Sequence, residues 1–82
     1  MYFVYILFCE GGSLYTGSTN DVQKRFQVHL AGKGGKYTRS HKPLKIVYQA
    51  EFETKSAALK REIEIKSWSR IKKITTLHLF LD

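Results

Sequence analysis

A chain of 82 residues, 43% of them hydrophobic, suits one domain (1–82) rather than two, and is too apolar for a disordered tail. Its one cysteine, Cys9, excludes an internal disulfide and a cysteine-built zinc cage, and fits a reducing, cytoplasmic setting with no disulfide partner. Fourteen Lys and Arg against seven Asp and Glu give a formal charge of +7, and the excess is concentrated in one block: Lys24, Arg25, Lys33, Lys36, Arg39, Lys42 and Lys45 lie between Val22 and Ala50, where no acid occurs.

Such a block selects a polyanion partner, nucleic acid ahead of a membrane surface, unless it is only a solvated face kept for solubility. In chain order, Tyr2 to Phe8 is aromatic and β-branched on both alternating sets, which predicts a central strand. The apolar run "YFVYILFC" is too short for a signal peptide or a membrane span, so no membrane is expected. Glu10-Gly11-Gly12 predicts a hairpin turn, with Ser13 to Thr16 returning. A two-residue turn would place Tyr5 and Tyr15 on opposite faces of the sheet. A three-residue connection pairs Leu7 with Tyr15 and puts both on one face, so an odd-length turn or a bulge is expected if the two serve one site.

Asn20 is read as the N-cap of a helix reaching about Leu30, with Gln23 as its capping-box partner. "GKGGKYTRSHKP" reads as a loop. After Pro43, Ile46, Tyr48, Ala50 and Phe52 alternate with Lys45, Val47, Gln49 and Glu51, predicting a third strand with one buried face. Thr54 or Ser56 caps a helix to about Lys66, and Ser69 caps another that runs to the C-terminus. In that last helix Ile71, Ile74, Leu77 and Leu81 form one stripe, read as core or as the surface for a protein partner or a weak homodimer. The predicted order is β-β-α-β-α-α, an α+β fold with a small three-stranded antiparallel sheet flanked by helices.

Several side chains ask for explanation. Tyr5 and Tyr15 suit strands and would pack without any further role, and Gly17 reads as turn punctuation. On the first helix, at about 100° per residue, His29 and then Arg25 flank the apolar stripe of Val22, Phe26 and Leu30, the rim a cleft would use. On the second helix Glu62 falls inside the apolar arc of Ala58, Leu59, Ile63 and Ile65, while Glu64 points away. A carboxylate there needs a partner. Lys66, four residues on, offers an ordinary helical ion pair; a metal or Arg25 is the functional option. His41 and His78 have no metal-ligand spacing and read as surface residues.

The ordered set of Tyr5 within "FVYIL", Tyr15 and Gly17 in "YTG", Arg25, His29 and Glu62 resembles the GIY-YIG nuclease domain over essentially the whole chain. The "KYTR" stretch is similar to the small stand-alone bacterial members of uncharacterised function. The first motif here is Phe3-Val4-Tyr5, without glycine, and Thr16 stands at the centre of the second.

The resemblance implies a GIY-YIG endonuclease fold and phosphodiester hydrolysis with one divalent ion, Mg2+ or Mn2+. It places Tyr5, Tyr15, Arg25, His29 and Glu62 in the catalytic set, Arg25 on the scissile phosphate, His29 helping to activate water or Tyr5, and Glu62 as the sole carboxylate on the metal. These types suit the chemistry, because phosphoryl transfer needs positive charge and positioning, and tyrosine is a poor base unless a cation or a histidine assists it. Gly17, Lys33, Lys36, Tyr37 and Arg39 are expected to bind substrate, Tyr37 by stacking on a base. The expected activity is a metal-dependent endonuclease acting on nucleic acid, DNA ahead of RNA. The alternatives are a nucleic-acid-binding module without efficient cleavage and a protein-interaction domain.

Overall fold

The first strand, β1 (Tyr2–Cys9), is apolar on both alternating sets because it lies in the middle of a sheet covered on both faces. A computed structural model describes residues 1–81 and orders the sheet β2-β1-β3, all antiparallel, with β2 at Leu14–Thr19 and β3 at Pro43–Phe52. Helices α1 (Val22–Leu30), α2 (Lys36–Ser40), α3 (Lys55–Lys66) and α4 (Arg70–Leu77) complete it, the flanked α+β sheet that the sequence predicts.

The β1–β2 connection has the odd length that a shared tyrosine face requires. Glu10–Gly12 make one 3-10 turn, closed by the Cys9 N–H donating to Ser13 O at 2.9 Å. Gly11 and Gly12 both sit at φ +85°, a region that favours glycine, which is why two glycines occur here. The register that follows pairs Leu7 with Tyr15 and Tyr5 with Gly17.

Strand alternation then sorts the core into two layers. Val4 and Ile6 pack with Ala58 and Ile65 of α3 and with Leu79. Tyr5, Leu7 and Cys9 face the other way, against Val22 and Phe26 of α1 and Ile46 of β3. The sheet therefore separates α1 from α3.

Four sequence expectations change. The cap of α1 is Asp21, whose carboxylate accepts from the Lys24 N–H at 3.1 Å, not Asn20 with Gln23; a carboxylate suits the positive end of a helix better than an amide does. The basic loop contains α2, one turn too short to show any apolar period. Strand β3 does not bury a single face: its pairing steps from Ile6–Tyr48 to Leu7–Ile46, and this bulge at Val47 sends Ile46 to the α1 layer while Tyr48 and Phe52 stay in the α3 layer. Helix α4 stops at Leu77, where His78 adopts φ 54°, rather than reaching the C-terminus; Asp82 lies outside the described residues.

The stripe read on α4 is only partly a stripe. Ile74, Leu77 and Leu81 pack on the core, whereas Ile71 is 72% exposed. Arg70 anchors the helix by donating from Nε to Gly12 O at 3.0 Å, tying the chain's end to the first turn. Thr54 caps α3 and Ser69 caps α4, each accepting from a backbone N–H three residues on. Among the described residues no helix is long and apolar enough to cross a membrane.

Candidate active site

Edge strand β2 organises the site. Tyr15 and Gly17 face the α1 layer with Tyr5, while Ser18, paired with Val4, faces the α3 layer. On the α1 side Tyr5 and Tyr15 have ring centroids 6.5 Å apart, and His29 closes the group at 6.0 Å from Tyr5 and 5.1 Å from Tyr15. Tyr5 Oη is 3.0 Å from His29 Nε2. The other ring nitrogen, Nδ1, is 2.8 Å from Thr38 Oγ1.

His29 does not sit on a rim. It is only 1% exposed, because α2 and the glycine-rich stretch before it cover the C-terminal end of α1. Gly34 lies so close to the imidazole that a Cβ there would overlap Nδ1. Gly17 is just as crowded: a Cβ on it would stand 2.5 Å from Tyr5 Oη. Its missing side chain makes room for the phenol, a more demanding role than turn punctuation.

Burial sets the protonation states. It pushes the Tyr5 phenol up to about 12, against the opposing pull of Arg25. It also pushes His29 below its ordinary value of 6.5, helped by the nearby Arg25 charge, so the imidazole is neutral at neutral pH. Arg25 itself is exposed and lines a shallow groove of about 170 Å³ with Thr19, Asn20, Asp21, Lys24 and Val28.

Glu62 approaches from the other layer. Its Oε1 accepts from Ser18 Oγ at 2.5 Å, and its Oε2 is 2.7 Å from Lys66 Nζ. The sequence-level arc on α3 is displaced: Ala58 and Ile65 are buried, but Leu59 and Ile63 are exposed. Glu62 consequently lies at the edge of the buried face, with a side chain 14% exposed. Lys66 is the partner, in the ordinary i,i+4 geometry. Glu64 faces outward, as expected, and pairs with Arg61 at 2.6 Å.

Apart from Gly17 on β2, the substrate-binding candidates lie on or beside α2. Lys33, Lys36 and Arg39 are exposed and have no carboxylate partner among the described residues. Tyr37 is exposed but already stacked, on Tyr15 at 5.8 Å and on His41 at 4.4 Å. A base arriving here competes with those stacks. Sequence reasoning missed Thr38 and Ser18, since an isolated hydroxyl residue in a basic loop or on an edge strand carries no pattern.

A divalent cation would find few ligands from the protein. Among the described residues no group of three or more His, Cys, Asp and Glu could hold a metal. Magnesium, however, prefers oxygen and keeps several waters, so one half-buried carboxylate beside a hydroxyl fits it.

The family described as "GIY-YIG catalytic domain" matches residues 1–75, and the chain belongs to that nuclease family, whose members generally use divalent metals. Within it the chain is similar to small UPF0213 proteins. It is 56% identical over 72 residues to one from Cupriavidus necator, covering 88% of this chain and 78% of that protein. It is 53% identical over 73 residues to one from Staphylococcus aureus, covering 89% of each. The solution NMR structure of the UPF0213 protein BH0048 from Bacillus halodurans superposes with a TM-score of 0.61 at 44% identity, covering 95% of this chain and 84% of that one.

Proposed function

We propose that the protein is a divalent-metal-dependent endonuclease that hydrolyses phosphodiester bonds in nucleic acid, DNA ahead of RNA. The observation that carries this reading is the buried 3.0 Å contact between Tyr5 Oη and His29 Nε2, with Arg25 close by. A phenol pushed up to about 12 cannot lose its proton to bulk water at neutral pH. A neutral imidazole in contact with it can accept that proton as the phenol gains another from the attacking water, since burial raises the phenol and lowers the imidazole and so opposes a transfer between the two alone.

In the proposed step, the attacking water gives a proton to Tyr5 Oη as Tyr5 passes its own to His29 Nε2. The water oxygen bonds to phosphorus, the bond to the leaving oxygen breaks, and that oxygen takes a proton from solvent. Arg25 supplies a permanent positive fork to the phosphate oxygens. Tyr15 holds one flank of the Tyr5–His29 pair, and Glu62 would hold the metal. A divalent ion there supplies positive charge to the phosphoryl group when bound. Lys33, Lys36 and Arg39 attract the polyanion from the α2 side, with Tyr37 beside them.

One observation favours the second reading, a nucleic-acid-binding module without efficient cleavage. Lys66 already neutralises the Glu62 carboxylate, so a metal must displace an ammonium group to bind.

Purified protein on labelled single- and double-stranded DNA and RNA, with magnesium, manganese or chelator, separates the two. Cleavage that needs the metal supports the enzyme; binding without cleavage in any metal selects the module. In either case affinity is expected to fall steeply with salt through counterion release. Changing Lys36 and Arg39 to glutamine should lower the slope of log K against log salt by about one for each phosphate that is no longer neutralised. Affinity that does not respond to salt would remove nucleic acid as the partner.

A further inference from the structure

We infer that Thr38 is a positioning residue that holds His29 in its Nδ1–H tautomer, so that Nε2 is left as the acceptor facing Tyr5. The inference deepens the proposed nuclease reading and rests on it for its catalytic consequence, although the tautomer itself is independent of any activity. His29 and Thr38 are both buried, at 1% and 2% exposure, and each ring nitrogen meets a single hydroxyl.

A hydroxyl can donate or accept, so these two contacts alone allow either tautomer. Donor strength breaks the tie. A phenol is far more acidic than an aliphatic alcohol, so Tyr5 is the better donor and the Thr38 hydroxyl the better acceptor of the two groups that meet the ring, and the phenol hydrogen is directed to Nε2. Nε2 is then unprotonated, the ring hydrogen is on Nδ1, and Nδ1–H donates to Thr38 Oγ1.

The local fold explains why Thr38 can do this. Helix α2 is a single turn that puts Lys36, Tyr37 and Arg39 at the surface and Thr38 inward. The absent side chain of Gly34 lets the segment lie directly on the ring. With the opposite tautomer, Nε2–H would point at Tyr5 and the imidazole could take no proton from it. Thr38 thus plays toward His29 the part that a carboxylate or carbonyl plays for other oriented histidines.

The test reads the tautomer directly. In the full-length protein labelled with ¹⁵N, the imidazole nitrogen shifts of His29 are expected to report Nδ1–H. Exposed His78 serves as the solvated reference, for which Nε2–H is the favoured form. Thr38→Val should remove the Nδ1–H signature and lower kcat about 10–100-fold with little change in KM, the usual cost of removing a histidine's orienting partner. Thr38→Ser, which keeps the hydroxyl, should restore both. If the valine variant does not fold, the wild-type spectrum and the serine variant still decide the matter. A wild-type His29 in the Nε2–H form overturns the inference, as does a valine variant with unchanged tautomer. A wild type that shows Nδ1–H but cleaves nothing overturns the nuclease reading instead.

Discussion

Glu62→Gln is expected to abolish metal-dependent cleavage, because a neutral amide is a much poorer ligand for a hard cation than a carboxylate. Folding should be nearly unaffected. The glutamine oxygen still accepts from Ser18, and what disappears is a partly exposed helical pair with Lys66, worth about 0.3–0.5 kcal/mol. Nucleic-acid binding should persist or tighten slightly, since one negative charge leaves the neighbourhood of the phosphates. Glu64→Gln, on the exposed side of the same helix, is the control and should cut normally. Equal rates for wild type and Glu62→Gln, with magnesium and with chelator alike, would falsify the catalytic reading. Lys66→Met separates the remaining options: if Lys66 only competes with the metal, cleavage in this variant should need less magnesium.

Gly17→Ala is expected to destabilise the domain by overpacking the site. The new Cβ would stand 2.5 Å from Tyr5 Oη and 2.7 Å from the adjoining ring carbon. A tyrosine tip can usually swing aside, but this ring is 2% exposed and bonded to His29, so either the ring or the β2 backbone must move. Overpacking of this kind costs about 1–3 kcal/mol, enough to lower the midpoint of a thermal or denaturant melt by a clear margin in a domain this small. The displaced phenol should also move out of reach of Nε2, so cleavage should fall further than stability does. The double variant Gly17→Ala with Tyr5→Phe removes the oxygen that the methyl meets. It should recover part of the stability and none of the activity. A melt unchanged by Gly17→Ala alone would show that the phenol does not occupy that space.

What the sequence made legible follows the range over which each signal acts. The elements themselves were readable because strand alternation, the Thr54 and Ser69 caps and the paired glycines of the first turn are local features. The odd-length turn follows from strand parity once Tyr5 and Tyr15 are taken to share one face, and the observed pairing of Leu7 with Tyr15 has that register. The bulge at Val47 was not, since it adjusts β3 to β1 and leaves no mark on β3's own pattern. Helix α2 stayed hidden because what orders it is Thr38 meeting a histidine nine residues back, not an apolar stripe. For the same reason His29 read as a rim residue: its burial comes from a segment that packs over it later in the chain. The arc on α3 placed Glu62 near the buried face but misjudged Leu59 and Ile63, because helical angles say which residues share a face and not how wide a covered strip the sheet can provide.

The division of the site by β2 bears on the direction of the reaction. In-line displacement at phosphorus needs the entering oxygen and the departing one on opposite sides of the phosphate. In this protein Tyr5 and His29, the proposed proton acceptors, belong to one layer, and the carboxylate Glu62 belongs to the other. A phosphodiester laid over the rim of β2 would be met by the base from one side and by positive charge held on Glu62 from the other. The polarity of attack would then be set by which way the backbone of the substrate crosses a single strand, and the product ends, 5′-phosphate or 3′-phosphate, would follow from that crossing. The same strand would also be closed to pairing with another chain whenever substrate is bound, because the edge that a further strand would need is the edge that the nucleic acid covers.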